Sequence, residues 1–123
     1  MDNTFKEDEK LYRAIWPPEI MPLFWKSNGC ISTAALCDKN GLSVERGNYR
    51  ADGLVVADMK KRLSGIVLYL TVRNVFDVGA VMRYLPSKTD KYHSEIHGSD
   101  EDMILSKVQR TILAKKVVIL GRM

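Results

Sequence analysis

Apolar and polar positions along the chain fall into short alternating blocks separated by turn residues. Leu11-Tyr-Arg-Ala-Ile-Trp16 alternates and predicts a strand, ended by Pro17-Pro18 because proline lacks the amide donor of a ladder. The apolar stretch to Trp25 is broken by Pro22 and predicts a packed loop with a short helical turn. After the turn Lys26-Ser-Asn-Gly29, the small apolar segment Cys30 to Cys37 is compatible with a strand or a short buried helix. A turn at Asp38-Lys-Asn-Gly41 precedes a short extended piece, Leu42-Ser-Val44, and then the polar Glu45-Arg-Gly-Asn48. Ile66–Val72, rich in β-branched and aromatic residues, predicts a strand covered on both faces. Ala80–Leu85, Tyr92–His97 and Val117–Leu120 predict three more.

Between these lie two helical patterns. Asp52 is placed to cap a helix over 53–63, with Val55, Met59 and Leu63 on one face. Ser99-Asp-Glu-Asp102 has capping-box spacing, and Ile104, Leu105, Val108 and Ile112 then line one face of a helix with Lys115 and Lys116 at its end. Arg73–Val78 is compatible with a short turn or helix. The expected fold is α+β: a single mixed, mostly antiparallel sheet covered by two amphipathic helices. Its core should contain Ile15, Val55, Met59, Ile66, Leu68, Leu70, Val81, Ile104, Val108 and Val118.

At 123 residues there is room for one domain, expected over 11–123 behind a flexible acidic tail at 1–10. No apolar run approaches the ~20 residues of a membrane span, and the acidic N-terminus does not read as a signal peptide, so a cytoplasmic, non-membrane protein is expected. Cys30 and Cys37 match no zinc spacing and are expected to be reduced and buried. The net charge is +4, and the tail, with four acids and two lysines, leaves the remainder at +6. That bias suits phosphate-bearing partners without being a dense basic stripe.

Both histidines fall in His93-Ser-Glu-Ile-His97. On a strand, His93, Glu95 and His97 share a face, ~6.7 Å between neighbours and ~13 Å end to end. Adjacent members can share a metal or a proton, but all three reach one metal only with a bulge, and no metal is assigned. A zincin helix needs its acid directly after the first histidine, and a zinc deaminase needs a following cysteine pair; neither is present. What remains is acid/base chemistry, or phosphate and ribose binding, at this strand. Gly98 and Ser99 would add the first amides of the following helix, although Asp100, Glu101 and Asp102 oppose an anion there. Arg13, inside an apolar-rich strand, should have a partner and is the second candidate. Ser32 and Thr33 are candidates to hydrogen-bond a ligand, and Tyr92 to stack on a base.

Leu11-Tyr-Arg13, Ser32-Thr-Ala-Ala-Leu36 before Leu42-Ser-Val44, and Leu85-Pro86 leading to Tyr92-His93 and Gly98 resemble a poorly characterised family of small bacterial proteins. A fainter similarity is to ADP-ribosyltransferase and RES-like folds. It implies that Arg13, Ser32 or Thr33, and Glu95 hold a nicotinamide dinucleotide, although the serine motif departs from the usual form and the chain is short. The leading expectation is a small enzyme or ligand-binding protein acting on a nucleotide or nucleic-acid phosphate through His93, Glu95, His97 and Arg13, with the cofactor unknown. A non-catalytic interaction module, such as a small subunit, inhibitor or adaptor of a mobile-element or defence locus, is the alternative. It would dock a protein partner through Trp16, Phe24 and Trp25. A third is a nucleic-acid binder using Lys107, Arg110, Lys115 and Lys116.

Overall fold

The alternating blocks become six strands of one sheet in the computed structural model, which describes all 123 residues. The strands are β1 (Lys10–Ile15), β2 (Leu42–Arg46), β3 (Ile66–Thr71), β4 (Val81–Tyr84), β5 (His93–His97) and β6 (Val118–Arg122). Their order is β4-β5-β2-β1-β3-β6, and every pairing is antiparallel. Three helices accompany them: α1 (Asp52–Lys60), α2 (Val72–Asp77) and α3 (Lys107–Ala114). The fold is α+β, and no helix is long and apolar enough to cross a membrane.

Period-two alternation sends each strand's residues to opposite faces. On one face Leu11, Ile15, Leu42, Val44, Leu68, Leu70 and Ile96 form the main core. It is closed by Val72 and Val75 of α2, Leu105 and Leu113 around α3, and Ala35 and Leu36. The segment 30–37 is therefore a short helix rather than a strand, a 3₁₀ turn over Thr33–Leu36 that buries two side chains, and it leaves both cysteines exposed where burial was expected. On the other face Val55 and Met59 of α1 pack on Tyr12 and Val67. Each face thus has its own cover.

Three expectations are corrected. The last helix starts not at Ser99 but at Lys107, where Ser106 and Gln109 make the reciprocal capping box. Ser99 instead closes a tight turn, its Oγ accepting from the amides of Glu101 and Asp102. Gly98 packs so closely on the Ile104 carbonyl that a Cβ has no room there. α3 also presents a different face inward. Leu105 and Leu113 are buried, with Gln109 between them donating to the carbonyls of Val78 and Gly98, so Ile104, Val108 and Ile112 are exposed. Val118 is exposed because β6 is an edge strand, and Ile66 and Val81 are only half-buried.

The third correction concerns residues 1–10. Lys10 already belongs to β1, and the preceding segment is tied to the sheet. Arg46 donates to the carbonyls of Asp2 and Thr4 and pairs bidentately with Glu9 at 2.8 and 2.9 Å. Its guanidinium also lies over the Phe5 ring, 4.1 Å from the centroid. An ion pair only 2–3% exposed needs such satisfaction, because each unpaired charge would carry a desolvation cost of several kcal/mol.

Candidate functional site

β5 places its chemistry as alternation requires: His93, Glu95 and His97 lie on the face opposite Ser94 and Ile96. Glu95 is shared unequally, with Oε1 2.8 Å from His97 Nε2 and Oε2 3.7 Å from His93 Nε2. Gly41, at φ +92°, lies directly on the closer pair, and a Cβ there would stand 2.6 Å from Glu95 Oε1 and 2.7 Å from His97 Nε2. Only glycine allows that approach together with that backbone conformation. Glu95 and His97 are therefore packed under a turn, whereas His93 faces a depression.

That depression has a volume of about 300 Å³ and lies between β1, β2 and the end of α1. Arg13, Ser43, Glu45, Arg62, Asp90 and His93 line it, with Tyr12 and Met59. Glu45 stands opposite His93 in the β2–β5 register, so the two share a face. The β1–β2 ladder pairs Leu11 with Arg46 and Tyr12 with Glu45, then stops. Arg13 bridges the opening beyond it, its Nε donating to the Ala35 carbonyl at 3.3 Å and its Nη1 to the Ser43 carbonyl at 2.9 Å. Its expected partner is thus backbone rather than a carboxylate. No acid lies within 4 Å of it, and Nη2 has no protein partner. Burial lowers its pKa, but a guanidinium stays charged at any ordinary pH.

A second depression of about 430 Å³ adjoins the first, sharing Arg13, Ala14, Arg62 and Leu63 and adding Trp16 and Phe24. The two form one groove. Histidine and carboxyl groups line one end, Arg13 the wall common to both depressions, and aromatic rings the other.

The carboxyl end is internally tense. Arg62 donates to Glu45 at 2.7 Å, Asp90 at 3.1 Å and Asp58 at 3.3 Å. One guanidinium serves three acids, helped only by Arg50, 3.7 Å from Asp58. Glu45 is the most buried of the three, at 4% exposure. Burial first, and then its hydrogen-bonding neighbour Asp90, raise its pKa to about 7 against the pull of Arg62. It can therefore hold or release a proton near neutral pH. Tyr12, wholly buried, donates its hydroxyl to Asp52, which Lys10 also holds; burial and this bond raise the phenol's pKa.

The remaining candidates are placed elsewhere. Ser32 Oγ donates to the Leu23 carbonyl, and Thr33 lines a different depression with Lys26 and Lys115. Tyr92 is covered by the Arg50 guanidinium, 3.5 Å from its ring centroid. Gly98 and Ser99 lie at the turn described above and present no helix N-terminus, because α3 begins eight residues later. Trp25 is half-buried, its indole N–H held by the Trp16 carbonyl, which leaves the Trp16 ring 46% exposed over the groove. Tyr12, Ser43, Glu45, Arg62 and Asp90 were not singled out from the sequence. The alternation of Leu42, Val44 and Arg46 against Ser43 and Glu45 is the signal that would have found Glu45.

Comparisons of the chain with protein-family models, curated proteins and solved structures return no match.

Proposed function

We propose that the groove binds a small phosphorylated molecule carrying a flat ring, of the nucleotide class, and that Glu45 and His93 handle a proton at its far end. The observation that carries this reading is Arg13. It is a half-buried guanidinium in no ion pair, bonded only to backbone carbonyls and with Asp38 its one charged neighbour of note, with one N–H left over, in the wall common to both depressions. A phosphate oxygen is the natural acceptor for that N–H. A ring reaching the other way meets the exposed face of Trp16, where stacking is worth about 1–3 kcal/mol per base. A phosphate-linked group reaching toward β5 meets Glu45 and His93, of which the first changes charge near neutral pH. The reading carries over Arg13 and His93 from the sequence and replaces Glu95 with Glu45 as the acid.

Titration with adenosine monophosphate, adenosine and inorganic phosphate, followed by amide chemical shifts, tests it. The monophosphate is expected to bind at least tenfold more tightly than adenosine or phosphate alone, shifting the amides of Arg13, Ser43 and Trp16. Trp16→Ala, which leaves the backbone acceptor for Trp25 in place, should weaken the monophosphate about tenfold, and Arg13→Met more. If neither the monophosphate nor phosphate moves these amides, or if Trp16→Ala and Arg13→Met bind like the parent chain, the reading fails.

A further inference from the structure

From Met103 to Met123 the chain carries five basic residues, Lys107, Arg110, Lys115, Lys116 and Arg122, and no acid. β6 lies in this stretch and is the last strand of the sheet. Apart from the Met123 amide bonded to the Gly65 carbonyl just beyond it, its hydrogen bonds run to β3, so its outer backbone groups have no protein partner. Val118, Ile119 and Leu120 are 44, 41 and 38% exposed. A bare, apolar edge of this kind is a template for a further strand, and chains that stay solitary usually blunt it with charge, proline or a covering segment.

The opposite edge shows such blunting. In β4, Arg83 turns back to bond the Met82 carbonyl and Asp100, and Pro86 follows the strand. At β6 only Arg122 is neutralised, by Glu19. Lys115 and Lys116 have no acid within 4 Å. Beside the strand, a depression of about 320 Å³ is floored by Ile31, Val117 and Ile119 and flanked by Lys26 and Lys115, with no acid in its lining.

We propose that β6 accepts an added strand from a partner protein, an extended segment apolar at alternate positions and flanked by acidic residues. Main-chain hydrogen bonds would supply the affinity, the depression would take one apolar side chain, and the lysines would select for the acids. The charge pattern disfavours a second copy of this chain, since two β6 edges brought together would join two stretches, 103–123, that hold basic residues and no acid. Three consecutive exposed aliphatic residues without an aromatic ring favour a peptide over a nucleic acid.

The test is a titration of the isotope-labelled protein with a capped nine-residue peptide, alternating valine and threonine with two glutamates at each end. Chemical-shift changes and slowed amide exchange are expected at Val118, Ile119 and Leu120. A Lys115→Glu/Lys116→Glu variant, altered only at exposed positions, should bind at least tenfold more weakly, as should a peptide with lysines in place of the glutamates. Equal binding of the acidic and basic peptides overturns the proposal, and so does no binding of either. It is also overturned if β6 amides are protected without peptide in a concentration-dependent dimer, or if single-stranded DNA shifts them and the acidic peptide does not.

Discussion

Glu45 and Arg46 are sequence neighbours on β2, and both are almost fully buried, but the pleat sends them to opposite faces and different fates. Arg46 finds one carboxylate, two carbonyls and two aromatic rings, so its charge is balanced and its donors are occupied by parts of the chain that do not face the groove. Glu45 shares a single guanidinium with two other acids at the wall of the groove. The first arrangement is saturated and holds the chain's beginning on the sheet. The second is short of positive charge and relieves the shortage by keeping a proton. The same kind of ion pair thus balances its charge in one place and leaves acid in excess in the other, and the stoichiometry of acids to bases decides which.

Removing the saturated cation should have the largest effect. Arg46→Met leaves Glu9 buried without its partner and is expected to cost about 3–5 kcal/mol in urea unfolding. Glu9→Met/Arg46→Met should recover much of that loss, because no charge is then stranded. If the single variant costs under about 1 kcal/mol, the anchoring role of the pair is wrong.

The unsaturated cluster should respond to pH. The folded pKa of Glu45, about 7, lies above its ordinary 4.5, so between those values the folded state binds more protons than the unfolded. Its contribution to stability is therefore fully present below pH 4.5 and is lost as pH rises through 7. Glu45→Gln, which mimics the protonated form, should flatten this slope and leave the protein more stable than the parent above pH 7. A slope that persists in the variant would show that another group carries it. The smallest effect belongs to Asp58, half-buried near the end of α1 and four residues before Arg62. Asp58→Asn should change stability by no more than about 0.5 kcal/mol, while lowering the midpoint of the Glu45 transition if it adds to the excess of negative charge.

Much of the architecture was legible because alternation is a local property. β1, β3 and β5 follow from their own residues, and so does the common face of His93, Glu95 and His97. What failed depended on partners distant in sequence. Glu45 and Arg46 look like the polar end of a strand until Arg62 and Glu9 are seen to receive them. Gln109 looks like a solvent residue, and reading it so rotates α3 by one position and puts Ile104, Val108 and Ile112 in the core. In the structure its amide reaches two inward carbonyls, and the row Leu105, Gln109, Leu113 turns in instead. Residues 1–9 look like a tail because no apolar periodicity runs through them; what holds them is Arg46, far along the chain. The groove escaped notice for the same reason, since its walls come from five separate stretches of chain.

The early end of the β1–β2 ladder has a mechanical meaning. Strands β4, β5 and β2 form one leaf and β1, β3 and β6 another, joined at a seam of two register pairs and spanned below it by the reach of Arg13. Twisting stress applied to either leaf concentrates at that seam, where the bond from Arg13 to the Ser43 carbonyl ties the leaves beyond the last register pair.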